Sequence, residues 1–178
     1  MKILVTGASG FVGQRLIPAL IAEGHDVRAM SRSPEALAAA PWADSVELIA
    51  GDLDHPETLS PALAGIEAAY YLVHAMEDSA AFSNVDKARA QGFVDAAANL
   101  KHLIYVGGLI PEGTTSEHLR SRAEVGDLLR RGLPTTEFRA GPILGPGSAS
   151  FEIPRCLIER LPLIPIPPWG AHSLSTIA

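Results

Sequence analysis

Short apolar runs alternate along this chain with longer stretches in which apolar residues recur every three or four positions, the pattern of buried strands alternating with amphipathic helices. Residues 3–5, 26–30, 46–49, 68–73, 102–106 and 135–139 read as strands. The run at 68–73 is apolar throughout, as expected in a sheet covered on both faces. Helices are predicted over 14–23, 35–39, 56–63, 79–99 and 151–161, with Gly24 stopping the first and Asp54 or His55 capping the third. Thr114 and Glu117 have the spacing of a capping box for one more helix, ending near residue 131. Regular βα alternation without a long structureless insert predicts an α/β fold. Its sheet is doubly wound and parallel, with about six strands in the order 3-2-1-4-5-6 and helices on both faces.

The first strand runs directly into Thr6-Gly7-x-x-Gly10-x-x-Gly13, and a helix follows. Strand, glycine turn and helix N-terminus in that order form a phosphate cradle. Unsatisfied N–H groups and the positive end of the helix dipole converge there. Gly7 permits the turn, Gly10 lets backbone approach a pyrophosphate, and Gly13 allows the helix to pack closely on the strand. Ser9, Phe11 and Val12 complete the expected cradle. A dinucleotide is therefore the expected ligand.

Composition narrows the setting. The chain has 178 residues, 47% hydrophobic and 19% charged, enough for one sizeable core and against disorder. Its net charge of −6 and scattered basic residues give a nucleic-acid partner no electrostatic support. No apolar run is long enough to span a bilayer, and no secretory signal pattern is present. With a single cysteine, Cys156, the expected setting is the cytoplasm. The six histidines are far apart and there is no Cys-x₂-Cys pair, so no metal site is expected.

Beyond the second strand, the place where an acidic residue would grip a ribose 2′-hydroxyl holds Ser31 and Arg32. A guanidinium there suits a 2′-phosphate, which favours NADP over NAD. Asp52 and Leu53, after the third strand, are placed for the adenine, Asp52 being equally a capping aspartate. Leu72, Val73 and His74, after the fourth, are placed for the ribose and nicotinamide side.

Thr6-Gly-x-x-Gly-x-x-Gly13, Gly51-Asp-Leu53 and Arg139-x-Gly141-x-x-x-Gly145 resemble the atypical and extended short-chain dehydrogenase/reductase proteins. These are Rossmann-fold, NAD(P)-binding proteins, and the nearest groups are the NmrA-like and nucleoside-diphosphate-sugar-epimerase-like ones. The resemblance extends from residue 1 to about residue 168. It implies hydride transfer assisted by a Tyr-x-x-x-Lys pair on the helix after strand five, with a serine ending that strand. This chain departs at each place. The helix carries His118-Leu-Arg-Ser-Arg122, and the strand runs into Gly107 and Gly108. His118 and Arg122, four apart on one helix face, are the candidate catalytic residues.

Two functional readings follow. One is an NADP-dependent oxidoreductase acting on a small carbonyl or alcohol of unknown identity. The other is a non-catalytic NADP-binding sensor or structural protein, which the missing pair favours. Residues 1–146 are expected to form the NAD(P)-binding domain. Residues 147–178 would be a short C-terminal remnant of a substrate-binding region; whether another chain completes it, as a homodimer could, is left open by the sequence.

Overall fold

The computed structural model describes residues 1–73, 80–110, 116–161 and 163, except for the side chains of 80–83. His74, Ser79, Thr114 and residues 164–168 lie outside them. Contacts divide the chain into two units, Met1–Phe138 and Arg139–Ala178.

The strands are β1 (Lys2–Val5), β2 (Asp26–Ser31), β3 (Glu47–Ala50), β4 (Ala68–Tyr71), β5 (His102–Gly108) and β6 (Thr135–Ala140). They form one six-stranded sheet in the order β3-β2-β1-β4-β5-β6, as predicted. The pairings β1–β2, β1–β4, β2–β3 and β4–β5 are all parallel. The helices are α1 (Phe11–Ala22), α2 (Leu59–Leu63), α3 (Ala80–Ala96), α4 (Glu117–Gly132) and α5 (Ala149–Arg160).

Alternate residues of β1 supply the two faces of the sheet. Leu4 joins Met30, Tyr71, Leu103 and Tyr105 beneath Phe93 of α3 and Leu129 of α4. Ile3 and Val5 join Val27 and Ala29 beneath Ile17 and Leu20 of α1. The continuous apolar runs of β1 and β4, at the middle of the sheet, are needed because both faces are covered. The Tyr71 and Phe93 rings meet nearly perpendicular, with centroids 5.2 Å apart.

Several local expectations are revised. The N-cap of α4 is Ser116, whose hydroxyl accepts from the Leu119 N–H at 3.3 Å, so Glu117 is already the first helical residue. In the same way Ser148 caps α5, which starts at Ala149, two residues earlier than the apolar pattern suggested. The helix expected over 56–63 begins as a 3₁₀ turn, Pro56–Thr58, and becomes α-helical only at Leu59. Its N-cap, His55, makes no side-chain cap bond.

Gly107 and Gly108 continue β5 and do not open a loop. A Cβ on Gly107 would stand 2.5 Å from Glu137 Oε1, and one on Gly126 of α4 would stand 2.9 Å from the same atom. The two glycines therefore make room for the buried Glu137 carboxylate, which Arg130 of α4 pairs. Strand β2 likewise hides a charge. Arg28 is 6% exposed, and its Nη1 donates to the carbonyls of Pro61, Ala62 and Ala64 at 3.2, 2.8 and 2.9 Å, closing the C-terminal end of α2.

Candidate functional site

The turn after β1 is built as the glycine spacing requires. Gly7 has φ +67°, a backbone state that disfavours any side chain. Val73 Cγ2 would lie 3.2 Å from a Cβ there, so the end of β4 closes on this position. The Gly7 carbonyl accepts from the Gly10 N–H at 2.9 Å. Gly13 packs α1 against the turn so closely that a Cβ would stand 2.5 Å from the Gly7 carbonyl oxygen. Thr6 ties the turn to β4. Its hydroxyl donates to the Tyr70 carbonyl at 3.0 Å and accepts from the Leu72 N–H at 3.1 Å.

Helix α1 starts with Gly10 as N-cap, without a side-chain cap and with no acidic residue in its first turn. The first helical bond runs from Gln14 N–H to Gly10 C=O, so the N–H groups of Phe11, Val12 and Gly13 stand ahead of the helical ladder. An uncapped helix N-terminus at the carboxyl edge of the sheet fits a dinucleotide pyrophosphate. Ser9 and Gly10 are exposed beside it. Sequence reasoning missed Arg15, whose guanidinium lies 3.7 Å above the Phe11 ring. The i,i+4 spacing of Phe11 and Arg15 was the available signal.

At the adenosine side, Ser31 is engaged in a local turn. Its hydroxyl donates to the Ser33 carbonyl and accepts from the Ser33 N–H, both at 3.2 Å. Arg32 is exposed, and among the described residues it makes no ion pair. Its charge reaches Asp54, a carboxylate held below its ordinary range chiefly by a hydrogen bond from Arg89. Arg89 grips Asp54 with two bonds of 2.7 Å and thereby anchors α3 to the loop after β3. Asp52 shapes that loop, with Oδ1 accepting from the Asp54 N–H at 3.0 Å. Leu53 is 4% exposed and packs in the core with Leu4 and Met30, so its side chain offers no open face to an adenine. Leu72 and Val73 are half-buried beside Gly7.

On the other half of the sheet, His118 and Arg122 lie one turn apart near the start of α4, both half-buried. The Arg122 side chain runs along Gly108, where a Cβ would be 3.5 Å from its Cδ. Tyr105 donates its hydroxyl proton to the Arg122 carbonyl at 3.1 Å, and burial pushes its pKa up to about 12. Burial also raises the pKa of Tyr71. Neither phenol stands in for the family tyrosine as a proton shuttle near neutral pH. Among the described residues no group of three His, Cys, Asp or Glu is placed to hold a metal ion, and no helix is long and apolar enough to cross a membrane.

A family model described as NAD(P)H-binding matches residues 7–131, from the glycine turn through α4. The chain belongs to the NAD(P)H-binding family. Curated relatives of this NAD(P)H-binding chain include 3-beta-hydroxysteroid dehydrogenase of Mycolicibacterium neoaurum. It is 30% identical over 106 residues, covering 60% of this chain and 28% of the relative. A 4-hydroxy-2-methyl-3-oxo-4-farnesyl-3,4-dihydroquinoline-1-oxide ketoreductase of Stigmatella aurantiaca is 34% identical over 111 residues, covering 60% and 33%. Photosystem II assembly factor Ycf39 of Cyanophora paradoxa is 35% identical over 103 residues, covering 57% and 32%.

The fold matches that of Citrobacter sp. triphenylmethane reductase complexed with NADP(H). The TM-score is 0.72 at 24% identity, over 89% of this chain and 55% of that one. A nucleoside-diphosphate-sugar epimerase of Staphylococcus aureus matches at TM-score 0.70 and 20% identity, over 80% and 51%. These likenesses bear on the fold alone. The chain spans about a third or less of the length of these curated relatives, and about half that of these solved structures.

Proposed function

We propose that this NAD(P)H-binding chain is an NADP-dependent oxidoreductase of the atypical short-chain type, acting on a small carbonyl or alcohol. The observation that carries the cofactor choice is Arg32, exposed beyond β2 and unpaired by any carboxylate among the described residues, where NAD would call for an acid. Arg89 holds the nearby Asp54, leaving Arg32 available for a 2′-phosphate. In this reading residues 1–146 form the cofactor domain. The N–H groups of Phe11, Val12 and Gly13 hold the pyrophosphate and Arg32 the 2′-phosphate. Asp52 and the Leu53 main chain border the adenine, while Leu72, Val73 and His74 border the nicotinamide side. The dinucleotide supplies a hydride when bound. His118 is the residue of this chain that gives a proton to the substrate oxygen.

Replacing Arg32 by alanine is expected to weaken NADPH at least tenfold, the equivalent of about 1.4 kcal/mol for one lost phosphate contact, while changing NADH affinity by no more than about twofold. Fluorescence titration of both cofactors measures this, and an unaltered preference for NADPH would reject the assignment.

The lack of a tyrosine suited to proton transfer favours a second reading, a protein that binds NADP without turnover, as a sensor or structural component. His118→Ala separates the two. Oxidation of NADPH by a panel of aldehydes, ketones and quinones should fall about a hundredfold in the variant, the size of a general-acid contribution, with cofactor affinity retained. Tight NADPH binding with no turnover in either protein supports the second reading.

A further inference from the structure

Arg28 is buried and Arg122 half-buried with its Nε out of contact with water, and their surroundings differ. Arg28 meets three carbonyls, and its Nε lies 2.9 Å from Glu47 Oε2, an ion-pair contact without hydrogen-bond alignment. Arg122 has no such company. Its Nε is buried without a hydrogen-bond partner, and among the described residues no carboxylate stands within ion-pair distance of its guanidinium. Asp86 of α3 attracts it from farther away, but that carboxylate contacts Arg89 at 3.4 Å. Tyr105 of β5 uses its hydroxyl proton on the Arg122 carbonyl and does not serve the side chain. The neighbouring Ser121 hydroxyl is also buried without a partner. Desolvation draws the Arg122 pKa down, a sign that the charged form is poorly served.

A buried donor left unsatisfied costs about 1–3 kcal/mol, and more when it is charged. Local rules broken in this way are concentrated at functional or strained sites. The position of Arg122 indicates which ligand. Its side chain lies against Gly108, the last residue of β5, and the carboxyl ends of the strands are where doubly wound sheets bind their ligands. In the order β1-β4-β5, that place is two strand spacings, about 10 Å, from the glycine turn. The phosphates held at α1 are therefore not its counter-ion, and the 2′-phosphate side lies farther away, beyond β2. A planar, partly desolvated guanidinium matches a carboxylate through two parallel bonds.

We propose that Arg122 receives the carboxylate of the substrate, which makes the substrate an oxo or hydroxy acid seated over the end of β5. This rests on the oxidoreductase reading above and names the substrate class for that site.

The test uses NADP⁺-loaded protein titrated calorimetrically with oxamate and acetoacetate, and with oxamide as the uncharged control. Wild type should bind at least one of the two acids and prefer it to oxamide. Arg122→Met should weaken that acid at least tenfold, and Arg122→Lys should restore part of the loss. Without ligand, Arg122→Met should unfold at the same or a higher temperature than wild type, since it removes a partly desolvated charge that no carboxylate pairs among the described residues. Its NADPH affinity should stay within about twofold of wild type.

Equal acid binding by wild type and Arg122→Met overturns the proposal, as does no acid binding by wild type. A marked loss of thermal stability in Arg122→Met makes the arginine structural and also overturns it. Loss of NADPH binding confined to Arg122→Met would assign Arg122 to the cofactor. Failure of wild type to bind NADPH would instead reject the cofactor reading itself.

Discussion

Gly13→Val is expected to lower NADPH affinity by roughly a hundredfold and to destabilise the fold by about 3 kcal/mol, the upper end of overpacking costs. The atoms that a Cβ would strike are all main chain: the Gly7 carbonyl oxygen at 2.5 Å, Ala8 Cα at 2.9 Å and the Ala8 carbonyl oxygen at 3.0 Å. No side chain can rotate away to relieve them. The Gly7 carbonyl also accepts from Gly10, so displacing it opens the turn on which α1 begins. Stability and binding should therefore fall together, which thermal unfolding and NADPH titration on one preparation would show. Gly24→Ala is the control. Gly24 has φ +76° and nothing within 4 Å of its Cβ position, so only backbone strain of about 1–2 kcal/mol is expected, with unchanged affinity. Equal loss of binding in both variants would refute the steric argument.

Arg28→Met should destabilise by about 2–4 kcal/mol, read as a lower urea midpoint at unchanged slope. The methionine fills most of the volume, but the carbonyls at the end of α2 lose a charged donor. Glu47 loses one of its two cations, keeping Lys2 at 2.9 Å. Arg28 first, and Lys2 next, hold the Glu47 carboxyl below its ordinary value of 4.5. A carboxylate with a depressed folded-state pKa stabilises at pH above its unfolded value, and that contribution disappears as pH falls through the folded one. Wild type should accordingly lose this stability below about pH 4.5, and the variant should show a shallower acid slope there. NADPH affinity should be unaffected, because the contacts of Arg28 are with α2 and β3 and not with the glycine turn.

Much of the fold was legible because its signals are local or follow from handedness. Apolar runs marked the strands, and once they alternated with helices, the rules for parallel crossovers left few possible orders. The glycine turn was legible for a related reason: each glycine answers a backbone demand a few residues away.

What escaped depends on distant contacts. Nothing near Gly107 and Gly108 announces that β5 continues through them to make room for Glu137 and Leu119. Arg28 reads as a solvated charge until α2 is folded against it. Ser116 and Thr114 are comparable caps in sequence, and the Leu119 N–H bonds to the Ser116 hydroxyl. Leu53 follows an exposed-looking aspartate, yet the inner face of the sheet claims its side chain. The burial of the Arg122 Nε without a partner was likewise invisible, since its surroundings include Gly108 and Tyr105, both on another element.

The central place of β1 carries a consequence for biosynthesis. It pairs with β2 soon after both are made, but its other edge waits for β4, where Ile3 is in register with Ala68. The same 65-residue separation is spanned by the bond from the Lys2 N–H to Glu67. At roughly 5–20 residues per second, that interval lasts roughly 3–13 seconds on the ribosome. Throughout it Leu4 and Val5 present an unpaired, wholly apolar strand edge, the surface on which nascent chains associate wrongly. The strand that positions the glycine turn is thus the one most in need of shelter before the sheet closes.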